Sequence, residues 1–230
     1  MGATGSMGDA IRRQNDAVRT AGRWRAIRTL GDGDPRTTLI AGPELAGSAV
    51  GRSALADGAS DGVPVVHFAS NDYLGLSQHP TVIAAATEAL TAEGAGSGAS
   101  RLVVGGRRVH NDLEAELAAW TGHDAALLFP TGFAANMGVL GALIGAGGRT
   151  DTTVFSDELN HASIIDGIRA ARAQVEVYPH LDLEALDHAL ATRATRHAIV
   201  VTDLVFSMDG DVVPVADIAA ATARSTIHPL

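Results

Sequence analysis

The sequence contains no lysine and no cysteine, and its 17 basic residues are all arginine. No site built from this chain alone can therefore use a lysine amine. The absence of cysteine excludes a disulfide framework, a thiolate nucleophile and a cysteine-ligated zinc site, and it leaves the redox compartment undetermined. The sequence also lacks an apolar run of about eighteen residues and an N-terminal signal pattern, so we predict no membrane span and a cytoplasmic location.

Positive charge is scarce, and the net charge is −9 over 230 residues. Nucleic acids and anionic membranes bind proteins through a surplus of basic residues, so neither is an expected partner. Apolar residues make up 46% and charged residues 19% of the chain, which favours a folded domain over disorder. A chain of this length buries roughly 70% of its unfolded surface, which is enough for one main domain. We expect a small molecule as the ligand.

The N-terminal region has a different pattern from the remainder of the chain. From Asp9 to Leu30 apolar residues recur at helical spacing, which predicts an amphipathic helix. Residues 31–62 are rich in Gly, Ala, Ser, Asp and Pro, which predicts a loop or linker. We therefore predict two regions: a helix with its linker at residues 1–62, and a large domain at residues 63–230.

Short apolar runs alternate with helix-like segments beyond residue 62. The predicted strands are Val63–Ala69, Ala125–Phe129, Thr153–Ser156, Gln174–Tyr178 and Ala198–Thr202. The predicted helices are Pro80–Ala92, Asn111–Thr121, Gly132–Ile144, Ala162–Ala171, Leu183–Ala191 and Val215–Ala223. This alternation indicates βαβ crossovers and an α/β fold whose mostly parallel sheet is covered on both faces. Ligands of such sheets bind beyond the carboxyl ends of the strands.

One predicted strand end has the features of a phosphate site. The sequence Phe129-Pro130-Thr131-Gly132-Phe133 ends a strand and begins a helix. The backbone N–H groups of Gly132 and Phe133 would face the crevice at the positive end of the helix dipole, where a phosphate binds. A purely structural alternative is equally open for this motif alone, with Thr131 as a helix cap and Gly132 as a turn residue.

Three polar residues follow other predicted strands. His161 lies just after the strand at 153–156, where its imidazole face could stack on a flat aromatic ligand. Asp203 ends the strand at 198–202, and Ser207 follows in a turn closed by Asp209 and Gly210. Histidines at helix starts and serines in turns are more often structural, so the wider pattern has to decide their roles. No third ligand accompanies His161 and its neighbouring acid at metal-binding spacing, and we predict no metal site.

A glycine-rich segment, Gly94–Gly98, superficially resembles a nucleotide-binding loop. It follows a predicted helix instead of a strand, and neither a dinucleotide fingerprint nor Gly-Lys-Ser/Thr accompanies it. Its Ser97 also lacks the flanking glycines of a hydrolase nucleophile elbow. We therefore expect neither NAD, nor ATP, nor serine hydrolase chemistry.

Several blocks in order make the chain resemble the α-oxoamine synthases, a fold-type I family that uses pyridoxal 5′-phosphate (PLP) to join an amino acid to an acyl thioester with loss of carbon dioxide. The most specific blocks are Ser70–Ser77, Gly96–Arg101, His110–Glu114, Thr131–Asn136, Asn160–Ser163 and Phe206–Gly210. The resemblance runs from about residue 64 to residue 217. It implies a three-layer α/β PLP-binding large domain, incomplete at its C-terminus, and a homodimer.

The resemblance also implies roles for individual residues. Gly132 and Phe133 would bind the cofactor through their backbone, His161 would stack on its pyridine ring, and Ser207 would hydrogen-bond its phenolic oxygen. Asp203 stands where the family has an acid near the ring. These residues are the predicted cofactor site.

The resemblance narrows the substrates without fixing them. The blocks around Ser70 and Gly96 are most similar to the family members that condense L-alanine with a pimeloyl thioester in biotin synthesis. The segment Asn160–Gly167 is equally similar to members that use glycine and acetyl-CoA. Arg25 aligns with a family arginine that holds a substrate carboxylate, a task that suits a bidentate guanidinium, and His161 would also contact the substrate.

The catalytic amine of the family has no counterpart in this sequence. Relatives continue past the last predicted helix into a strand ending in Asp-Glu-Ala-His and then reach the Schiff-base lysine, whereas this chain stops at residue 230 and contains no lysine. A positioned amine is worth an effective molarity of about 10⁵ M or more. We therefore expect no catalytic residue and little activity from this chain alone, and a non-catalytic remnant of the fold is a further alternative.

Overall fold

The computed structural model describes residues 6–25, 29–31, 33–40 and 63–225. The described α-helices are α1 (Met7–Thr20), α2 (Pro80–Glu93), α3 (Arg108–Thr121), α4 (Gly132–Gly147), α5 (Ala162–Ala171), α6 (Leu183–Thr192) and α7 (Val215–Ser225), and Leu76–Gln78 and Arg101–Gly105 form a short 3-10 helix and a π-helix. The described strands are β1 (Thr29–Leu30), β2 (Arg36–Ile40), β3 (Val63–Val66), β4 (Thr152–Asp157), β5 (Gln174–Tyr178) and β6 (His197–Val201). The chain divides into two compact units, Met1–Arg107 and Arg108–Leu230. The predicted boundary at residue 62 adjoins a range outside the described residues and stays a prediction.

The N-terminal helix is shorter than the sequence predicts. It begins with a reciprocal capping box in which Ser6 and Asp9 satisfy each other's backbone N–H groups, and it ends at Thr20. Gly22 then adopts a left-handed φ of 68°, a conformation that a helix does not continue through. The predicted extension to Leu30 is therefore wrong, because Thr29–Leu30 forms strand β1, while residues 26–28 lie outside the described part of the chain.

Strands β1, β2 and β3 form an antiparallel sheet in that order. Two predictions fail here. The segment predicted as linker contains a strand, Arg36–Ile40, whose first four residues pair with β3, whereas residues 41–62 are not described. The segment Val63–Ala69 was expected as a buried parallel strand, but it ends at Val66, runs antiparallel and alternates between half-buried and exposed residues. An antiparallel pairing with one solvated face explains that alternation.

The second unit contains the parallel sheet that the sequence predicts. Strand β4 lies between β5 and β6, and all three strands run parallel. Val154 pairs with Val175 on one side and with Ile199 on the other. All six residues of β4 are buried, because the strand has neighbours on both edges and helices on both faces. The predictions of β4, β5 and β6 are confirmed to within one residue at their ends.

Alternate residues of β4 belong to two separate apolar cores. Val154 packs with α4 and α5, whereas Phe155 packs with α6 and α7, so the unit has helix, sheet and helix layers. Each large apolar side chain buried in this way contributes about 1.5–3 kcal/mol to folding. Gly167 allows the close approach of α5 to α4, because a Cβ there would lie 2.8 Å from Leu140 Cδ1. The predicted α/β class with three layers is confirmed.

The predicted strand Ala125–Phe129 is wrong for the described residues. The segment forms neither helix nor strand, and no described strand runs beside it. Its Leu128 N–H donates instead to Glu114 Oε1 at 2.7 Å. An apolar run needs a neighbouring strand to complete its backbone hydrogen bonds, and sequence pattern alone does not supply one. None of the described helices is both long enough and apolar enough to cross a membrane.

Candidate functional site

The N-terminus of α4 presents free backbone donors. Thr131 caps this 16-residue helix, and its Oγ1 accepts a hydrogen bond from Ala134 N at 3.0 Å. The N–H groups of Gly132 and Phe133 lie in the first turn, where the helix offers them no acceptor, and no other described residue accepts from them. Both residues are exposed, so an anion can reach two N–H groups at the positive end of the helix dipole.

His161 is held at the N-terminus of α5. Its Nδ1 accepts a hydrogen bond from Ser163 N at 3.1 Å and lies 2.7 Å from Ser163 Oγ. The same Oγ accepts from Asn136 Nδ2 at 2.8 Å, which joins α4 to α5. Since Nδ1 serves as an acceptor, this network assigns the ring proton to Nε2. The imidazole is thus fixed in orientation while His161 itself remains exposed to a ligand.

Asp203 ties the His161 loop to the end of β6. Its Oδ2 accepts a hydrogen bond from His161 N at 2.9 Å, and its own N–H donates to Asn160 Oδ1 at 2.9 Å. Asp203 is half-buried, so one carboxylate oxygen holds the backbone while the residue stays accessible. The structure therefore joins His161 directly to Asp203. Through Ser163 and Asn136 it also ties the His161 loop to α4, the helix that Gly132 and Phe133 begin.

Asn160 is a residue of this region whose role the sequence prediction missed. It is 5% exposed, and its Nδ2 donates to Val201 O at 2.7 Å and to Ser156 Oγ at 3.0 Å. With the bond from Asp203, one amide joins the ends of β4 and β6. A polar residue within a few positions of the end of a buried strand is a signal for such a role, although the sequence does not identify its partners.

Ser207 lies on a short hairpin, Leu204–Val213, which we name the Ser207 hairpin. The hairpin is closed by a bridge between Val205 and Val212, and Gly210 takes a left-handed φ of 77° at its turn. The serine is exposed, and no hydrogen bond among the described residues joins it to His161. Arg25 is also exposed and belongs to the first unit. The ligand roles of both residues stay predictions.

A second polar cluster, which the sequence prediction missed, lies beside the hairpin. Asp157 ends β4 with a fully buried side chain, and its Oδ1 lies 2.9 Å from His180 Nδ1. The other ring nitrogen, Nε2, lies 3.3 Å from Asp211 Oδ2. The hydrogen bond to Asp157 is the main reason that the pKa of His180 is raised, and Asp211 adds to the effect.

The groups at the N-termini of α4 and α5 fit PLP. Two free N–H groups on a helix N-terminus suit a phosphate, and the fixed imidazole of His161, tied to the same helix through Ser163 and Asn136, suits an aromatic ring. The described residues contain no group of three His, Asp or Glu side chains able to hold a metal ion. A Cβ at Gly132 would meet no neighbouring atom within 4 Å, so the turn at the start of α4 is open.

Comparison with known sequences gives a consistent family. The profile described as aminotransferase class I and II matches residues 63–230. A protein of Anaeromyxobacter sp. (strain K) named 8-amino-7-oxononanoate synthase is 52% identical over 163 residues, which are 71% of this chain and 40% of that protein. The synthase of the same name from Mycolicibacterium smegmatis is 49% identical over 156 residues, covering 68% of this chain and 40% of that protein. The chain thus spans about 40% of the length of these relatives.

Solved structures agree with the sequence relatives. Serine palmitoyltransferase of Sphingomonas wittichii is 25% identical, with a TM-score of 0.75 over 97% of this chain and 51% of that chain. The 8-amino-7-oxononanoate synthase of Francisella tularensis is 27% identical, with a TM-score of 0.56 over 67% of this chain and 41% of that chain. With the profile match over most of its length, the chain belongs to the aminotransferase class I and II family of PLP-dependent enzymes, on its α-oxoamine synthase branch.

Proposed function

We propose that this chain carries part of the PLP site of an 8-amino-7-oxononanoate synthase, which condenses L-alanine with a pimeloyl thioester and releases carbon dioxide. The observation that carries the proposal is the connected cluster at the N-termini of α4 and α5. Free N–H groups, a fixed imidazole and the Asp203 carboxylate lie there on three neighbouring loops. Relatives named for this activity at about 50% identity support the choice of reaction.

The proposed binding mode assigns a task to each residue. The Gly132 and Phe133 N–H groups bind the phosphate, and the His161 ring stacks on the pyridine face. Ser207 donates its hydroxyl to the phenolic oxygen, and Asp203 holds the His161 loop and contributes negative charge near the ring. When bound, PLP supplies an electron sink for the bond that breaks at the amino acid α-carbon. The residues of this chain orient the cofactor for that chemistry.

The substrates follow the family in this proposal. Arg25 binds a substrate carboxylate through its guanidinium, and His161 contacts the amino acid. The acyl donor is a CoA or carrier-protein thioester, and the active enzyme is a homodimer. Glycine with acetyl-CoA, the substrate pair of 2-amino-3-ketobutyrate CoA ligase, is the alternative for the same site. Because the chain contains no lysine, the 230 residues alone bind the cofactor without catalysing the reaction.

Titration of the purified chain with PLP and with inorganic phosphate tests the phosphate site. Gly132 is the first residue of α4, where proline is tolerated, and Thr131 before it already has the extended backbone that precedes proline (φ −151°, ψ 156°). Gly132→Pro therefore removes one N–H donor while the helix is kept. We expect affinity for both ligands to fall about tenfold, the value of one charge-assisted hydrogen bond. Gly132→Ala keeps the N–H group and is the matched control.

A second variant tests ring recognition. Asparagine at position 161 can cap α5 in place of the histidine but has no aromatic face. His161→Asn should lower PLP affinity about fivefold and leave phosphate affinity unchanged, because only stacking is lost. Equal affinities of the wild-type chain for PLP and phosphate would refute the proposed cofactor, and an unchanged Gly132→Pro variant would refute the phosphate position.

A further inference from the structure

The Ser207 hairpin is fastened to the second unit at two points. Phe206 is 2% exposed and packs in the core shared by α6 and α7. His180 makes an edge-on ring contact with Phe206, with centroids 4.4 Å apart, and its Nε2 faces Asp211 on the returning arm of the hairpin. A single imidazole therefore touches both arms of the hairpin on either side of Ser207.

His180 is itself firmly positioned from the sheet. Its ring contacts the buried carboxylate of Asp157, which also accepts from Leu159 N at 2.9 Å and Leu181 N at 3.0 Å. The backbone N–H of His180 donates to Glu158 Oε1 at 3.0 Å. The imidazole thus extends a rigid strand end to the hairpin.

The two ring contacts require two protons. A neutral imidazole carries one N–H, so it can donate to Asp157 or to Asp211 but not to both. With the proton on Nδ1, a neutral ring would turn its Nε2 lone pair towards a carboxylate oxygen at 3.3 Å. Only the imidazolium form satisfies both acids, and the contact with Asp211 is therefore coupled to protonation.

We propose that His180 is a positioning residue of the cofactor site: clamped between Asp157 and Asp211, it holds the hairpin that carries Ser207 only while both ring nitrogens are protonated. The proposal rests on the proposed function for its ligand, PLP, and on the geometry above for the clamp. His180 contacts neither the cofactor nor the substrate in this scheme and acts through Ser207.

The charges around the ring determine the sign of the pH dependence. Asp157 and Glu158 face His180 from the end of β4, the Tyr178 phenol lies on β5, and Asp211 lies on the hairpin. Burial raises the pKa of Tyr178 to about 12, so this phenol stays neutral over the range of interest. Because the pKa of His180 is raised, the clamp is complete below the ordinary imidazole value near 6.5 and is lost as pH rises through the raised value.

Amide hydrogen exchange measures the clamp directly. The N–H groups of Phe206 and Val213 close the hairpin by donating to Asp211 O at 2.9 Å and Leu204 O at 3.0 Å. We expect their protection in the wild-type chain to fall by about three- to tenfold between about pH 5.5 and about pH 9, consistent with loss of one partly exposed charged contact. Asp211→Asn should remove this pH dependence and lower the pKa of His180, which NMR of the labelled histidines reports.

Two further variants separate the clamp from general structure. His180→Asn keeps one donor for Asp157 but cannot reach Asp211. At every pH this variant should therefore show the low hairpin protection that the wild-type chain shows only at high pH. Asp209→Asn removes an acid from the same hairpin, and it should retain the wild-type pH profile because no described residue pairs with Asp209.

Measurement of PLP affinity tests the positioning role. The variants are compared with the wild-type chain at the same pH, so the titration of PLP itself affects both affinities equally. The wild-type chain should bind PLP about threefold more tightly than Asp211→Asn at about pH 5.5 and equally at about pH 9. If the exchange protection of the Phe206 and Val213 N–H groups does not change with pH, the clamp is refuted. A pH-dependent clamp with an affinity ratio of one at both pH values overturns the positioning role and leaves the proposed function standing. A chain that binds no PLP at any pH overturns both the proposed function and the positioning role, while the exchange data still decide the clamp.

Discussion

Asn160 shows how much a single buried amide contributes to the site. Its three hydrogen bonds reach Ser156, Val201 and Asp203, and the residue is 5% exposed. Asn160→Ala leaves the Val201 carbonyl and the Asp203 N–H without this partner, and each unsatisfied buried group costs about 1–3 kcal/mol. We expect the variant to lose about 2–4 kcal/mol of the free energy of unfolding, measured by urea denaturation.

An exposed asparagine serves as the control for this variant. Asn111 lies near the start of α3, is exposed, and none of its side-chain atoms is bonded to another described residue. Asn111→Ala should change the free energy of unfolding by less than about 0.5 kcal/mol. Equal midpoints for the two variants would show that the Asn160 network does not stabilise the fold.

At single residues, the sequence predicts donors better than it predicts partners. Gly132 and Phe133 were predictable because a helix start leaves N–H groups free in any fold. The contact between His180 and Asp157 was not predictable, since 23 positions separate the residues and only the pairing of β4 with β5 brings them together. Ser163 was missed for a similar reason, because its link to Asn136 depends on how α4 packs against α5.

Helix α5 ends in a conformation that its sequence does not favour. Arg172, the C-terminal cap, has a left-handed φ of 56° and ψ of 39°. A non-glycine residue in this region carries a steric cost that glycine avoids. Arg172→Gly should therefore raise the free energy of unfolding by about 0.5–1 kcal/mol, and thermal or urea denaturation measures the difference.

The same substitution three residues earlier should have the opposite sign. Arg169 lies inside the last turn of α5, is exposed, and contacts Asp166 at 3.6 Å. Arg169→Gly should lower the free energy of unfolding by about 1 kcal/mol through lost helix propensity. If Arg172→Gly also destabilises the chain, the left-handed cap is not the unfavourable feature that its φ indicates.

At the scale of elements, prediction worked where local pattern and environment agree. Strand β4 is apolar and buried on both faces, so its composition reflects its position. Strand β2 was missed because it is only five residues long and lies in a segment rich in Gly, Ala, Ser, Asp and Pro, which is typical of a loop. The run Ala125–Phe129 shows the reverse error, since an apolar composition does not make a strand without a neighbouring one.

For the whole molecule, short motif blocks in a fixed order revealed the family, although no single block does so alone. Two of the blocks, Thr131–Asn136 and Asn160–Ser163, lie at the starts of α4 and α5, where ligands of parallel sheets bind. The antiparallel sheet of the first unit has no comparable motif, and its pairing was not predicted. Composition alone shows that this chain cannot supply the Schiff-base amine, because the absence of lysine is visible without any structure.

The lysine-free composition leads to a prediction about the 230-residue chain. Borohydride fixes PLP only where the cofactor has joined a primary amine, and no side chain among these 230 residues carries one. After incubation with PLP and reduction, we expect peptide mass spectrometry to find no phosphopyridoxyl group on any internal peptide. A lysine-containing peptide in the same tube is the positive control.

Added methylamine should not restore condensation of L-alanine with pimeloyl-CoA, since a positioned amine acts at an effective molarity of about 10⁵ M or more. Turnover by the chain with methylamine would contradict the requirement for a positioned lysine.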